Sequence, residues 1–230
     1  MILFIPAKSF CQLNKTIYKT IAGKTIYNVE DKNLYVVTTG FMIDADGSPK
    51  AYHKDDAKAL DHLSNAGSPG NWWALVTNNA KPDGEPLIQN ENDPAPGYYI
   101  SMTTLEDQSK NITDPNRYVN SEKVPYIAIP AGFAKDFKPG DIALVINKKN
   151  NKRCYAIFAD VGPADKIGEG SIYLARKLGI ESSAKDGGIE TGVVFILFKR
   201  SGIKTILSNI EIERIGKLKL TEEDISALLN

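Results

Sequence analysis

In YAIFADVGPADKIGEGS, Tyr155 to Ser171, an apolar strand from Tyr155 to Ala159 delivers a carboxylate, Asp160, just ahead of the Gly162-Pro163 turn. Five apolar or aromatic residues bounded by turn residues fit a short buried strand. Nine residues on, Glu169 stands between two glycines, immediately before a helix that Ser171 caps and that runs through Ile172, Leu174, Ala175 and Leu178 to Gly179. An acid at a strand end and an acid at a helix mouth, joined by a short folded-back loop, can face each other across a cleft. Paired carboxylates so placed are the equipment of glycoside hydrolysis, in which one protonates the leaving oxygen and the other activates water or attacks. The same residues also fit plainer roles: Asp160 as a turn residue, and Glu169 as a solvated loop tip or a favourable charge at a helix N-terminus.

Outward from this stretch the pattern is mostly β. Short runs rich in Val, Ile, Tyr and Phe recur between turn residues at Thr25–Val29, Leu34–Thr38, Trp72–Val76, Tyr98–Met102, Tyr126–Ile129, Ile142–Ile146, Cys154–Ala159 and Val193–Phe198. Lys148-Lys149-Asn150-Asn151-Lys152 reads as the hairpin loop between the sixth and seventh of these. Helical patterns are few: Asp56–Asn65 ended by Gly67, Ile172–Leu178, and Glu222–Leu229, where Thr221 and Asp224 resemble a capping box. Many short strands with few helices predict a mainly β fold, a small barrel with long decorating loops. No internal repeat or low-complexity segment interrupts it.

FADVGP followed by KIGEGS resembles the signature of glycoside hydrolase family 75, the fungal-type chitosanases and their bacterial relatives. Other segments follow the same pattern in order: MIDADGSPKAYH from Met42, LDHLSNAGSPGNWWALV from Leu60, DPAPGYYISMTTLED from Asp93, RYVNSEKVPYIAIP from Arg117 and GDIALVIN from Gly140. The resemblance runs from Phe41 to Phe198 and departs from the family at Asn120, where relatives tend to carry Asp. It implies a six-stranded double-psi β-barrel core and an inverting endo-glycosidase acting on β-1,4-linked glucosamine polymers. It further implies Glu169 as proton donor, Asp160 as the partner that activates water, and no cofactor. The expected organisation is an N-terminal strand-rich extension over 1–40, a catalytic domain over 41–202, and a C-terminal extension over 203–230 ending in a short helix. A related hydrolase acting on another amino-sugar polymer such as peptidoglycan, or a carbohydrate-binding protein on the same barrel, are the alternatives.

Composition agrees with one substantial core. In 230 residues, Lys plus Arg and Asp plus Glu both number 28, so no global field draws the chain to nucleic acid or an anionic membrane. Attraction for a cationic polymer must then be local to a cleft. No run approaches the roughly 18 apolar residues of a membrane helix, and a polysaccharide-degrading monomer is expected. The substrate places it outside the cell or in the cell envelope, with the cytoplasm as the alternative. Ile2-Leu3-Phe4-Ile5, interrupted by Pro6, is too short for a signal-peptide core, so the signal was removed or export takes another route. Cys11 and Cys154 can pair but make no disulfide framework, and Asn14 and Asn111 fit glycosylation sequons.

Asp44-Ala45-Asp46-Gly47 resembles the start of a calcium loop, yet Pro49 stands where an EF-hand needs glycine and the flanking helices are missing, so no metal is expected. The two acids instead suit the ammonium groups of a glucosamine polymer, or an Asx-type turn. Adjacent aromatics in Trp72-Trp73 and Tyr98-Tyr99 point to opposite faces of a strand, one to the core and one free to stack on sugar. Trp72, Tyr99 and the third acid Glu122 complete the candidate substrate contacts. His53 and His62 lack metal-ligand company and read as solvated or helix-surface residues. No nucleophilic Ser or Cys has a triad, and no phosphate loop is present.

Overall fold

Leu34 to Asp44 carries eleven residues in which buried and accessible positions alternate over its second half, and it forms the longest early strand, β3. The computed structural model describes residues 13–229. Before β3 come β1 (Thr16–Ile21) and β2 (Lys24–Val29), an antiparallel hairpin turning at Ala22-Gly23. After it come β4 (Gly67–Ser68) and β5 (Asn71–Trp72), a two-stranded ladder in a long loop region. The remaining strands are β6 (Tyr126–Pro130), β7 (Ile142–Asn147), β8 (Lys152–Gly162), β9 (Glu169–Ser171) and β10 (Ile189–Phe198). Four short helices intervene or follow: α1 (Ala131–Ala134), α2 (Ile172–Leu178), α3 (Asn209–Lys217) and α4 (Glu222–Leu229).

The main sheet closes on itself. Neighbours run β3, β10, β7, β8, β6, β9, and β9 returns to β3, which gives a closed six-stranded barrel with the β1–β2 hairpin added at the first half of β3. Two of the pairings, β6–β8 and β3–β9, are parallel and the other four antiparallel. The architecture is the mainly β barrel with long loops that the sequence predicts. The expected boundary at residue 40 falls inside β3, whose second half carries the closing pairs Met42↔Glu169 and Asp44↔Ser171.

Alternation along these strands sends side chains into two apolar layers. Val37, Phe41, Ile127, Phe158 and Phe195 belong to one, together with Leu174 and Leu178 of α2. Leu34, Val36, Leu144, Ile157 and Ile196 belong to the other, which Ile212 of α3 and Ile225 and Leu228 of α4 cover. Full burial of each such side chain contributes about 2 kcal/mol. No helix among the described residues is long and apolar enough to cross a membrane.

Several local expectations hold, α2 to the residue and the β7–β8 hairpin with both strands longer than expected. α2 runs Ile172–Leu178, with Ser171 Oγ accepting from Leu174 N and Gly179 in the left-handed region. α4 starts on reciprocal bonds between Thr221 and Asp224, and the β7–β8 hairpin pairs Asn147 with Lys152. The helix expected at Asp56–Asn65 is absent; turns lead there into a short 3-10 turn at Leu63–Ala66. Asp55, Asp56 and Asp61 accept from the backbone N–H groups of Ala57, Leu63 and His62, and these local bonds outcompete the helical ladder. Trp72–Val76 and Tyr98–Met102 shrink to β5 and isolated bridges such as Leu75↔Ser101. His53 is buried rather than solvated, accepting from Asp55 N at 2.9 Å and packing on Tyr98. Among the described residues Cys154 has no disulfide partner, and Cys11, its candidate partner, lies outside them.

Candidate active site

The position of Asp160 depends on one extra residue. Along β8 the side chains of Ala156 and Phe158 face the α2-side layer and those of Tyr155, Ile157 and Ala159 the other, so strict alternation would drive Asp160 into the first core. The β6–β8 register shifts instead, Ile127 pairing with Phe158 and Ala128 with Asp160, which leaves Ala159 as a bulge. A single-residue shift reverses the side to which every later side chain points. Asp160 therefore projects with Ala128, away from the layer that Ile127 and Ile129 enter. Ala128 is also the register partner of Glu169 on β9. The two acids thus flank one alanine on one face, two strand spacings or about 10 Å apart at Cα. Glu169 lies on a strand two residues before the cap of α2, not at the helix mouth itself.

β3 adds the other carboxylates. Met42 pairs with Glu169, and Asp44, two residues on, shares its face. Asp44 accepts from the N–H of Asp46 at 2.8 Å, and the hydroxyls of Ser101 and Tyr52 donate to the Asp46 carboxylate. Tyr126 donates to the Asp46 carbonyl at 3.0 Å, and Ser121 to that of Asp44, which ties this loop to β6 and α2. One carboxylate oxygen from each of Asp44, Asp46 and Asp160 lies within 4.8 Å of the others, close enough to share a cation.

The environments of Asp160 and Glu169 differ. Asp160 Oδ1 accepts from Thr104 N at 3.0 Å, Thr104 Oγ1 at 2.8 Å and Val161 N at 2.9 Å. Burial raises its pKa, and these donors oppose the rise by favouring the anion. Glu169 has no such support: among the described residues no hydrogen bond to its carboxyl is found. Burial first, and the charge of Asp160 second, push it up to about 7 despite Lys166 nearby. The nearby helix N-terminus would favour the anion, so burial prevails over it. Asp44 and Asp46 rise well above the ordinary carboxylate range, again mainly by burial and then by their acidic neighbours.

All four carboxyls line one cleft of about 650 Å³, whose walls also include Asp61, Trp73 and Lys166. Of the Trp pair, Trp72 is 9% exposed and packs in the core, whereas Trp73, 54% exposed, meets the cleft, so the candidate Trp72 gives way to its neighbour. Tyr99 is half-buried behind the cleft wall, its N–H donating to the Tyr52 carbonyl, and Glu122 accepts from Ser48 at 2.8 Å. Neither lines the cleft. Asp61 stands in the LDHLSNAG segment of the family pattern, but its burial at the cleft is a tertiary effect that its neighbours in sequence do not signal.

Residues 87–218, more than half of the chain, match the sequence profile of the fungal chitosanases of glycosyl hydrolase group 75. The chain belongs to glycosyl hydrolase group 75. It is therefore a glycoside hydrolase of a chitosanase family with a polysaccharide substrate. No curated protein sequence matches it significantly. The group 75 match contains Asp160 and Glu169 together with β6, which holds them side by side, and lies downstream of Asp44, Asp46, Asp61 and Trp73.

In this group 75 member the approach to Glu169 is set by a glycine. A Cβ at Gly162 would stand 2.5 Å from Glu169 Oε2, a contact that only displacement of the carboxylate relieves. Gly162→Ala is expected to lower turnover about tenfold or more by misplacing that carboxyl, with the melting temperature nearly unchanged. Wild-type turnover in a folded Gly162→Ala protein would show that the carboxyl position there is not critical.

Proposed function

We propose that the protein is an inverting endo-chitosanase cleaving β-1,4-linked glucosamine polymers, with Glu169 as the general acid and Asp160 as the general base. The observation that carries this reading is their common register on Ala128, in environments that hold one proton differently from the other. Strand geometry puts the Cα atoms about 10 Å apart, and the inverting mechanism calls for carboxyls about 6.5–9.5 Å apart, which leaves room for an attacking water. Glu169, neutral below about 7, gives its proton to the glycosidic oxygen as the bond to the anomeric carbon breaks. Asp160, oriented by Thr104 and Val161, takes a proton from water as the water oxygen bonds that carbon from the opposite face. The step ends with Glu169 ionised and Asp160 protonated, and exchange with solvent restores both. Asp44 and Asp46 offer carboxyl oxygens in the same cleft to the ammonium and hydroxyl groups of the sugar. Residues 41–202 form the proposed catalytic unit, acting outside the cell where such polymers lie.

Release of reducing ends from chitosan, with the first-formed anomer read by proton NMR, tests the proposal. The α-anomer is expected first. A β-anomer would make the enzyme retaining, and release from peptidoglycan alone would move the substrate to that polymer.

The raised carboxyls also predict a pH signature. Glu169 moves from an ordinary 4.5 up to about 7, so the native state holds a proton that the unfolded chain has lost. Its contribution therefore favours the fold fully below about 4.5 and is withdrawn as pH rises toward about 7. The general acid is lost over the same interval. Turnover should fall with an apparent pKa near 7 on the alkaline side, and Glu169→Gln should flatten the decline of melting temperature from pH 5 to pH 7.5. A stability profile that Glu169→Gln leaves unaltered would refute the shift.

A further inference from the structure

A second binding feature stands on the loop side of the cleft, apart from the strands that carry the reacting acids. Asp61 is only 4% exposed and lines the cleft, yet among the described residues no cation pairs with it. Both hydrogen bonds its side chain accepts, from His62 N and from Asn65 Nδ2 at 2.8 Å, fall on Oδ1. Oδ2 is left for a donor from the cleft. Burial raises the Asp61 pKa against the weaker pull of His62 and Lys185, so its charged form is costly, and a cation arriving in the cleft offsets that cost. The Asn65 carbonyl in turn accepts from Trp73 Nε1 at 3.0 Å, so the network that holds the carboxylate also fixes the indole. Trp73 is the most exposed aromatic of this cleft, and its orientation is set by that bond and not by packing alone. A fixed aromatic face suits the C–H face of a pyranose ring, and a free carboxylate oxygen beside it suits an ammonium.

We propose that Trp73 and Asp61, linked through Asn65, form a glucosamine subsite in which the sugar ring stacks on the indole and its 2-ammonium donates to Asp61 Oδ2. This rests on the chitosanase reading and deepens it, making Asp61 the residue that separates deacetylated from acetylated sugar at this position. The charge of Asp61 also reaches Glu169, in keeping with a place beside the proton donor. An N-acetyl group at the same position would bring an uncharged amide and forgo the ion pair.

Binding of a glucosamine hexamer and an N-acetylglucosamine hexamer, measured by calorimetry in the Glu169→Gln protein so that neither is consumed, tests the subsite. Asp61→Asn keeps an acceptor oxygen for His62 and Asn65. It is expected to weaken the glucosamine hexamer about tenfold, as loss of one charged hydrogen bond would, and to leave the acetylated hexamer unchanged. Trp73→Ala should weaken both about tenfold. Because Trp72 is buried, the ligand-induced change in tryptophan emission should vanish in Trp73→Phe, a variant that keeps an aromatic face should the alanine fail to fold. Equal losses on both hexamers in Asp61→Asn, or unchanged affinity in that variant or in Trp73→Ala, would overturn the subsite. If the chain also cleaves chitosan, the chitosanase reading survives that result. A wild-type protein that neither binds nor cleaves glucosamine polymers would overturn both.

Discussion

Glu169→Gln and Asp160→Asn are each expected to lower chitosan hydrolysis by about a thousandfold or more, within the range that general acid and base catalysis contributes, while the fold persists. Both changes are nearly isosteric. Asn at 160 keeps an oxygen for the N–H and hydroxyl of Thr104 and the N–H of Val161, so the β8 bulge retains its anchor. Gln at 169 removes a group that burial already disfavours as an anion, so stability at neutral pH should rise or hold. The two variants should differ on a substrate with a good leaving group. An activated aryl glycoside needs little protonation, so it should rescue Glu169→Gln and not Asp160→Asn. Turnover near the wild-type value in either folded variant would remove that residue from the mechanism, and rescue of the opposite variant would exchange the two roles.

The largest effect on stability is expected far from the cleft, at Asp141. Its side chain is buried and accepts three backbone N–H groups: Lys138 at 2.8 Å and Arg200 at 2.9 Å on Oδ2, and Gly202 at 2.7 Å on Oδ1. These bonds join the entry of β7 to the exit of β10. Asp141→Ala strands three donors around an apolar gap and should cost about 4 kcal/mol, counting a lost charged bond and two deprived donors. For a chain of this size that is a melting temperature lower by roughly 10 °C. Asp141→Asn, which keeps one acceptor, should fall between. Calorimetry giving a shift below about 2 °C for the alanine variant would mean that solvent satisfies those groups at no cost.

What could be read in the residues was what neighbours in sequence decide. The β8 strand, the Ser171 cap and the β7–β8 hairpin each rest on local propensity and each is present, although β8 starts at Lys152 and runs on through Asp160 to Gly162, so the turn falls after Pro163. α3 is not among the expected helices although Ser208 and Glu211 make a full capping box, a signal that local sequence does carry. Asp56–Asn65 shows the opposite failure. Its apolar spacing suits a helix, but a density of aspartates close to their own backbone offers turns instead. In the site, the family pattern points to the proposed carboxylate pair, and its geometry is not legible there. The bulge that turns Asp160 outward is an event of the β6–β8 ladder, visible only once both strands are aligned. Likewise the choice between Trp72 and Trp73 depends on which face the loop ladder presents to the core. Asp61 enters the site only because the loop between β3 and β4 lies over the barrel.

β3 finds its neighbours at very different distances along the chain. The hairpin partner β2 is a few residues away, whereas β10 and β9 lie well over a hundred residues downstream. During synthesis β3 must therefore wait, with one flank paired and the other open, until Phe198 has left the ribosome. Ring closure is then a late event with a high loop entropy, and folding is expected on a time scale of milliseconds to seconds. Because the β3–β9 pairing that closes the ring also brings Asp44 beside the strand of Glu169, the nascent chain completes its proposed site as the ring's own strand edges are hidden. Hydrolytic competence and escape from edge-to-edge aggregation would then arrive together.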